Sequence, residues 1–188
     1  MKKLVLSSLI ACLSVAPAVA EDLTPRVDAS RAAVKDFAGN LGGELKAALK
    51  KGGPLEAIKV CNTRAMGITR AHSEKNGWQV GRTSLKPRNS ANAPDDWERS
   101  VLEQFEIRKA AGEDPKKMEH YEVVMQNGKQ LFRYMKAIPT AERPCLACHG
   151  SRIKPAIAEA LDKRYPQDRA RGYRAGDIRG AFTITQTM

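Results

Sequence analysis

The chain has 188 residues, of which 42% are hydrophobic, and its 32 Lys and Arg against 21 Asp and Glu give a formal net charge of +11. This length allows one ordinary domain with a real core. The basic residues are spread along the chain without a block of like charge, which favours a solvated basic surface over a dedicated patch for nucleic acid or membrane.

The first twenty residues have the pattern of a secretory signal peptide. A short basic start, "MKK", precedes an apolar run that ends in small residues, and Ala18 and Ala20 match the A-x-A cleavage pattern before Glu21. We therefore predict a single mature domain, residues 21–188, that is soluble and periplasmic or otherwise exported. Its net charge would be +9, because the signal removes two lysines and no acid. The alternative is a lipoprotein anchored at Cys12.

Helical periodicity dominates the first half of the mature chain. Apolar residues predict one helix from Thr24 to Leu49, which "KKGGP" ends, and a second from Pro54 to about Lys75. The second helix carries one apolar stripe, composed of Leu55, Ile58, Cys61, Ala65 and Ile68. "NG" at 76–77 ends it, and "WQVGRTS" predicts a strand.

The second half predicts a mixture of helix and antiparallel strand. A helix is expected from about Asp95 to Ala111, with Trp97, Val101, Leu102 and Phe105 facing inward. "YEVVM" and "QLFRYMKAI" flank "QNGK", and Asn-Gly between apolar runs predicts a tight β-hairpin. "KPAIAEALDKRYP" predicts a short helix and "YRAGDIRGAFTITQ" a last strand. The predicted fold class is α+β.

The motif "CLACHG", residues 145–150, carries the chemistry. C-x-x-C-H is the attachment signature of a c-type haem. Cys145 and Cys148 would bind the two vinyl groups as thioethers, and His149 would be the proximal iron ligand. The alternatives are a disulfide, a redox-active C-x-x-C and half of a zinc site. Zinc is disfavoured because no second ligand pair of suitable spacing exists. The motif occurs once, which predicts one haem c.

The position of the motif excludes the common cytochrome c arrangement, since the only methionine after His149 is Met188, the last residue. The predicted hairpin and last strand argue against a four-helix cytochrome c′. For a second axial ligand the residues leave alternatives open. Cys61 is either a ligand or a small buried hydrophobe. Further candidates are Met66, Met118, Met125, Met135, His72 and His120, and Arg82, Arg88, Arg143 and Arg152 are candidates for haem propionates.

Four segments together resemble the Tll0287-like haem domain family: "AIKVCNTRA", "LKPRNSANAPDDWE", "CLACHG" and "RYPQDRARGYRAGDIRGAFTIT". The resemblance covers nearly all of the mature chain. It implies a PAS-like antiparallel sheet flanked by helices, a covalently held haem, and axial ligation by His149 and Cys61.

These observations predict an exported mono-haem protein for single-electron transfer or redox sensing. The rival function is a haem-based sensor of CO or NO with a displaceable sixth ligand. A small peroxidase ranks last, because no acid–base constellation accompanies the motif. The basic mature chain predicts an acidic redox partner protein and no nucleic acid.

Overall fold

A computed structural model describes residues 21–188, so the predicted signal peptide and Cys12 lie outside the described residues. A four-stranded antiparallel sheet has the order β1-β4-β3-β2. The strands are β1 (Gln79–Thr83), β2 (Glu119–Gln126), β3 (Lys129–Pro139) and β4 (Ile178–Thr187), and the α-helices are α1 (Thr24–Asn76), α2 (Asp96–Ala110), α3 (Leu146–His149) and α4 (Pro155–Arg164). The α+β prediction is confirmed.

The two helices predicted before β1 are the two halves of α1. The chain breaks from helical geometry at Gly52 and Gly53, and Pro54 begins the second half. The halves run antiparallel, since Lys75 pairs with Asp36 at 2.6 Å near one end of the helical pair. Gly77 ends α1 in the left-handed conformation, at φ 69°, which glycine adopts without strain.

The first half of α1 covers one face of the sheet. Phe37 is fully buried there against a core that includes Phe132, Tyr134 and Ile184. These three residues come from β3 and β4, the central strands, so α1 lies over the middle of the sheet.

The opposite face of the sheet is covered by α2. Asp95 caps this helix by accepting from the Glu98 N–H, and the Glu98 side chain accepts from the Asp95 N–H in return. Val101, Leu102 and Phe105 are buried as predicted and pack with residues of β3 and β4. The sheet is thus a layer between two helical elements.

The Asn-Gly hairpin prediction is confirmed. Asn127 and Gly128 join β2 to β3 with φ values of 52° and 75°. Positive φ at both central residues is the geometry that two-residue hairpins prefer. Within residues 21–188, no helix combines the length and apolar content that crossing a bilayer requires.

Candidate functional site

The C-x-x-C-H residues lie in one short helical turn. Cys145 immediately precedes α3, and its carbonyl accepts from the backbone N–H of His149 at 2.9 Å. Gly150 follows, and a Cβ there would lie 2.7 Å from the Leu146 carbonyl oxygen, so the turn requires glycine at this position. Cys61, Cys145 and Cys148 form no disulfide in the described chain. All three thiols are therefore available for other chemistry.

His149 is oriented by the loop that precedes β4. Its Nδ1 donates to the Ala170 carbonyl at 2.8 Å, which leaves the lone pair of Nε2 free to bind a metal. The Tyr173 N–H donates to the His149 carbonyl at 3.0 Å, and the Tyr173 ring stands edge-on to the imidazole. Burial, with the positive charges of Arg179 and Arg88, lowers the pKa of His149 to about 3. The imidazole is thus neutral and preoriented, as a metal ligand must be.

Arg88 connects this loop to the α3 turn. Its guanidinium donates to the carbonyls of Cys148 and Ala170 and pairs with Asp168 at 3.2 Å. The Asp168 side chain is only 2% exposed and also accepts from the Ala170 N–H and from Arg171, both at 2.9 Å. The carbonyl that orients His149 is therefore held by a buried ion-pair network.

His149 lines two adjoining cavities, of ≈ 230 and ≈ 140 Å³. Five residues border both cavities: Arg82, Arg88, Asn92, His149 and Arg179. The larger cavity is also bordered by residues of α1, namely Leu41, Gly42, Leu45, Cys61, Ala65 and Met66. Together the cavities have the size of a small-molecule or cofactor site, roughly 300–1,000 Å³. The structure thus brings His149 and Cys61, the two predicted axial ligands, to one cavity.

Cys61 departs from its expected surroundings. The apolar stripe predicts a buried side chain, whereas Cys61 is exposed, as is Leu55 on the same stripe. Ile58 packs against α4, and Ile68 packs against the core between α1 and the sheet. Cys61 lies between Ile58 and Ile68 along α1, at the part of the helix that borders the cavity. Of the two alternatives for Cys61, the small buried hydrophobe does not fit this exposure, and the position on the cavity suits a ligand.

The predicted arginines divide into two groups. Arg82 and Arg88 line both cavities, whereas Arg143 and Arg152 are exposed and border neither. The Arg82 Nε is buried without a hydrogen-bond partner in the described chain. Burial lowers the pKa of Arg82, which means that its charge is poorly solvated where it lies. An anionic group in the cavity would compensate this charge.

The two candidate histidines lie elsewhere. His72 is buried beside Phe37, with Asn40 Nδ2 donating to its Nε2 at 2.8 Å. His120 lies on β2 and its Nε2 is 3.2 Å from a carboxylate oxygen of Glu122. Neither histidine borders a cavity with His149.

Of the methionine candidates, only Met66 lines the cavity of His149 and Cys61. Met118 and Met135 are fully buried beside α2, and Met125 is exposed on β2. A second axial ligand from this chain would therefore come from Cys61 or Met66, both on the second half of α1.

Three contributors to the site were not predicted. Arg179 lines both cavities and lies over the ring of Tyr173, and Ala170 contributes only its backbone carbonyl. Tyr173 begins "YRAGDIRGAFTITQ", which the sequence predicts as a strand, whereas β4 begins only at Ile178. A backbone acceptor has no side-chain signature, and Arg179 is one basic residue among many in this chain.

The chain is similar to known proteins. The model of the Tll0287-like family matches residues 9–187. Among solved structures, the chain is similar to the cyanobacterial heme-protein Tll0287, with 25% identity and a TM-score of 0.64 over 88% of this chain and 96% of that chain. No curated protein matches the chain. Because the family model spans nearly the whole sequence, the chain belongs to the Tll0287-like family.

Proposed function

We propose that this chain binds one haem c, attached through Cys145 and Cys148, and acts in single-electron transfer or redox sensing outside the cytoplasm. His149 and Cys61 would be the axial ligands. The observation that carries this proposal is the cavity shared by His149 and Cys61, with the His149 Nε2 left free by the bond from Nδ1 to Ala170. Membership of a family that includes a cyanobacterial heme-protein supports it.

The residues around the cavity suit a haem. The wall formed by α1 supplies apolar contacts from Leu41, Leu45 and Ala65, which match the macrocycle. A haem also carries two propionate carboxylates, and Arg82 and Arg179 could compensate their charge. Neither guanidinium forms an ion pair within residues 21–188, and burial lowers the pKa of both. Guanidinium groups bind carboxylates with paired hydrogen bonds, so these two arginines would hold the propionates.

A bound haem would supply a one-electron Fe(III)/Fe(II) couple. His149 would contribute a neutral nitrogen donor whose direction is fixed by Ala170 and Tyr173. Cys61 would contribute an anionic sulfur donor, which favours the ferric charge and lowers the reduction potential. The loop carrying Ala170 would exclude water from one side of His149 and prevent its rotation.

Export belongs to the same proposal. The basic start, apolar run and A-x-A pattern of residues 1–20 support cleavage before Glu21. Covalent attachment of a c-type haem takes place outside the cytoplasmic membrane, which agrees with that route. The mature charge of +9 supports an acidic protein as the redox partner.

Haem attachment is tested by denaturing the mature protein in acid–acetone and measuring the haem that stays with the chain. We expect one haem per chain for the parent and a loss of attachment for Cys145→Ser with Cys148→Ser. Extraction of all the haem from the parent would refute attachment.

Axial ligation is tested with Cys61→Ala and, as the matched variant on the same cavity wall, Met66→Leu. We expect Cys61→Ala to keep covalent haem, to lose the thiolate character of the ferric spectrum and to raise the reduction potential. Met66→Leu should leave the ferric spectrum unchanged. If Met66→Leu alters the ferric spectrum and Cys61→Ala does not, the ligand is Met66. If neither variant alters the spectrum, neither residue binds the iron.

The spectra also separate the two roles. A six-coordinate spectrum in both oxidation states, with slow or no binding of CO, favours electron transfer. Rapid binding of CO or NO to the reduced protein would favour the gas-sensing alternative.

A further inference from the structure

The outer edge of β2 is an exposed apolar stripe. Tyr121, Val123 and Met125 are 43%, 36% and 66% exposed, and they alternate along the strand, so they share one face of the sheet. β2 is the last strand in the order β1-β4-β3-β2, and no strand of residues 21–188 pairs with its other side. Exposed apolar edge strands are templates for pairing with another chain.

Proteins commonly protect such edges with charge, proline or a bulge, and Lys is the residue used most often. This chain has 32 Lys and Arg, yet none lies between Lys117 and Lys129. β2 also contains no proline, and its pairing with β3 is regular from Glu119 to Gln126. The edge therefore carries no Lys, proline or bulge, although the rest of the chain is rich in cations, and the charged side chains of β2 are the acids Glu119 and Glu122.

The backbone of the same three residues points outward. In an antiparallel pair, alternate residues direct their N–H and C=O groups to the partner strand. Gln126 and Lys129 flank the two-residue turn, and the Ala137 N–H donates to the Met118 carbonyl, so the even-numbered residues of β2 bond to β3. The odd-numbered residues, Tyr121, Val123 and Met125, consequently present free donors and acceptors at the edge.

We infer that β2 pairs antiparallel with β2 of a second copy of this chain, about a two-fold axis at Val123. In this register Val123 lies opposite Val123 of the second copy and Tyr121 opposite Met125. The three outward-facing residues then form hydrogen-bonded pairs with one another, and their side chains meet on one face of the joined sheet. A two-fold interface must be self-complementary. The stripe meets this condition, because each of its apolar side chains lies opposite an apolar side chain of the second copy.

The charges are compatible with this register. Glu122 would lie opposite Val124, and His120 opposite Gln126, so no like charges face each other. Glu119 is already paired with Arg31 and accepts from the Tyr134 hydroxyl. The strand therefore brings two strongly basic chains together along a segment that carries none of their positive charge. The inference is independent of haem binding, because β2 does not border the cavities of His149.

The test measures the mass of the mature holoprotein in solution by light scattering or sedimentation over a wide range of concentrations. We expect a dimer for the parent. Val123→Lys should weaken it roughly tenfold or more in dissociation constant, because two lysines would lie directly opposite each other. Leu55→Lys, which adds the same charge at an exposed leucine on α1, should leave the dimer intact. Haem content and circular dichroism check that each variant is folded.

A charge exchange makes the register itself testable. Val123→Glu should also be monomeric alone, whereas an equimolar mixture of Val123→Lys and Val123→Glu should form a heterodimer, since opposite charges then face each other across the axis. A parent that stays monomeric at all concentrations would overturn the inference. So would a dimer that Val123→Lys does not weaken, or a mixture that does not associate.

Discussion

Replacing Asp168 with Asn should destabilise the fold strongly. The two Asp168 oxygens accept from the Ala170 N–H, Arg88 and Arg171. Asn keeps the volume, but one of its two terminal groups becomes a donor and faces a donor. The substitution also leaves the Arg88 guanidinium, which is only 13% exposed, without a carboxylate. Removing one member of a buried ion pair costs roughly 3–5 kcal/mol, and the retained oxygen puts Asp168→Asn near 3 kcal/mol.

The matched control is Asp162→Asn. Asp162 pairs only with Arg171, which Asp168 also binds, but its side chain is 66% exposed. Exposed pairs contribute about 0–1 kcal/mol, so this change should be nearly neutral. Urea unfolding of the holoprotein, followed by circular dichroism, gives both free energies. Equal losses in the two variants would refute the argument that burial makes Asp168 important.

The loss should also depend on pH. Burial alone would raise the pKa of Asp168, but hydrogen bonds from the Ala170 N–H, Arg171 and Arg88 outweigh it and hold the pKa below its usual value. A depressed carboxyl pKa contributes stability above the unfolded value of about 3.9, and this contribution is lost as the pH falls through the folded pKa. The parent and Asp168→Asn should therefore converge in stability in acid. A difference that is unchanged at low pH would show that the charge of Asp168 is not involved.

Three further predictions concern the backbone, the partner and the N-terminus. Gly180→Ala should lower the melting temperature, because a Cβ there would lie 2.2 Å from the Thr83 carbonyl oxygen and φ is 151°. Gly39→Ala should stabilise the fold by about 0.5–1 kcal/mol, because a Cβ at this position in α1 meets open space. Thermal unfolding of both variants tests these expectations. Electron transfer to an acidic partner should slow as salt rises, and a rate insensitive to salt would contradict electrostatic docking. Mass analysis of the exported protein should find Glu21 as the first residue, and a lipidated Cys12 would instead indicate a membrane anchor.

The helices and the hairpin could be predicted because their signals are local. Asn127 and Gly128 specify the turn by backbone freedom at two adjacent positions, and Asp95 and Glu98 cap α2 through contacts three residues apart. The strand order β1-β4-β3-β2 depends on contacts between distant parts of the chain. β4, the last element, lies between β1 and β3, and no local pattern encodes that position.

Part of the proposed haem site could be predicted because its motif is local in sequence. Cys145, Cys148 and His149 have the spacing that attachment of a c-type haem requires, so the proposed attachment site is visible in sequence. Proximity in sequence was a poor guide to the arginines, since Arg143 and Arg152 neighbour the motif but border neither cavity. Arg179 reaches the cavity from β4, thirty residues beyond the motif, and only the folded sheet brings it there.

The charges around the cavity account for how a haem and a cysteine ligand could be accommodated together. Arg88 is already compensated by Asp168, so it serves the loop that orients His149. Arg82 and Arg179 form no ion pair within the described residues, and burial lowers the pKa of both, so an anion in the cavity would stabilise their charges. The two propionates of the proposed haem match these two cations in number. With the arginines so compensated, their positive charge would oppose only weakly the preference of a Cys61 thiolate for ferric iron. The proposed low potential therefore depends on the propionates being ionised and bound, which is why replacing Arg82 should alter the potential even though Arg82 is not a ligand.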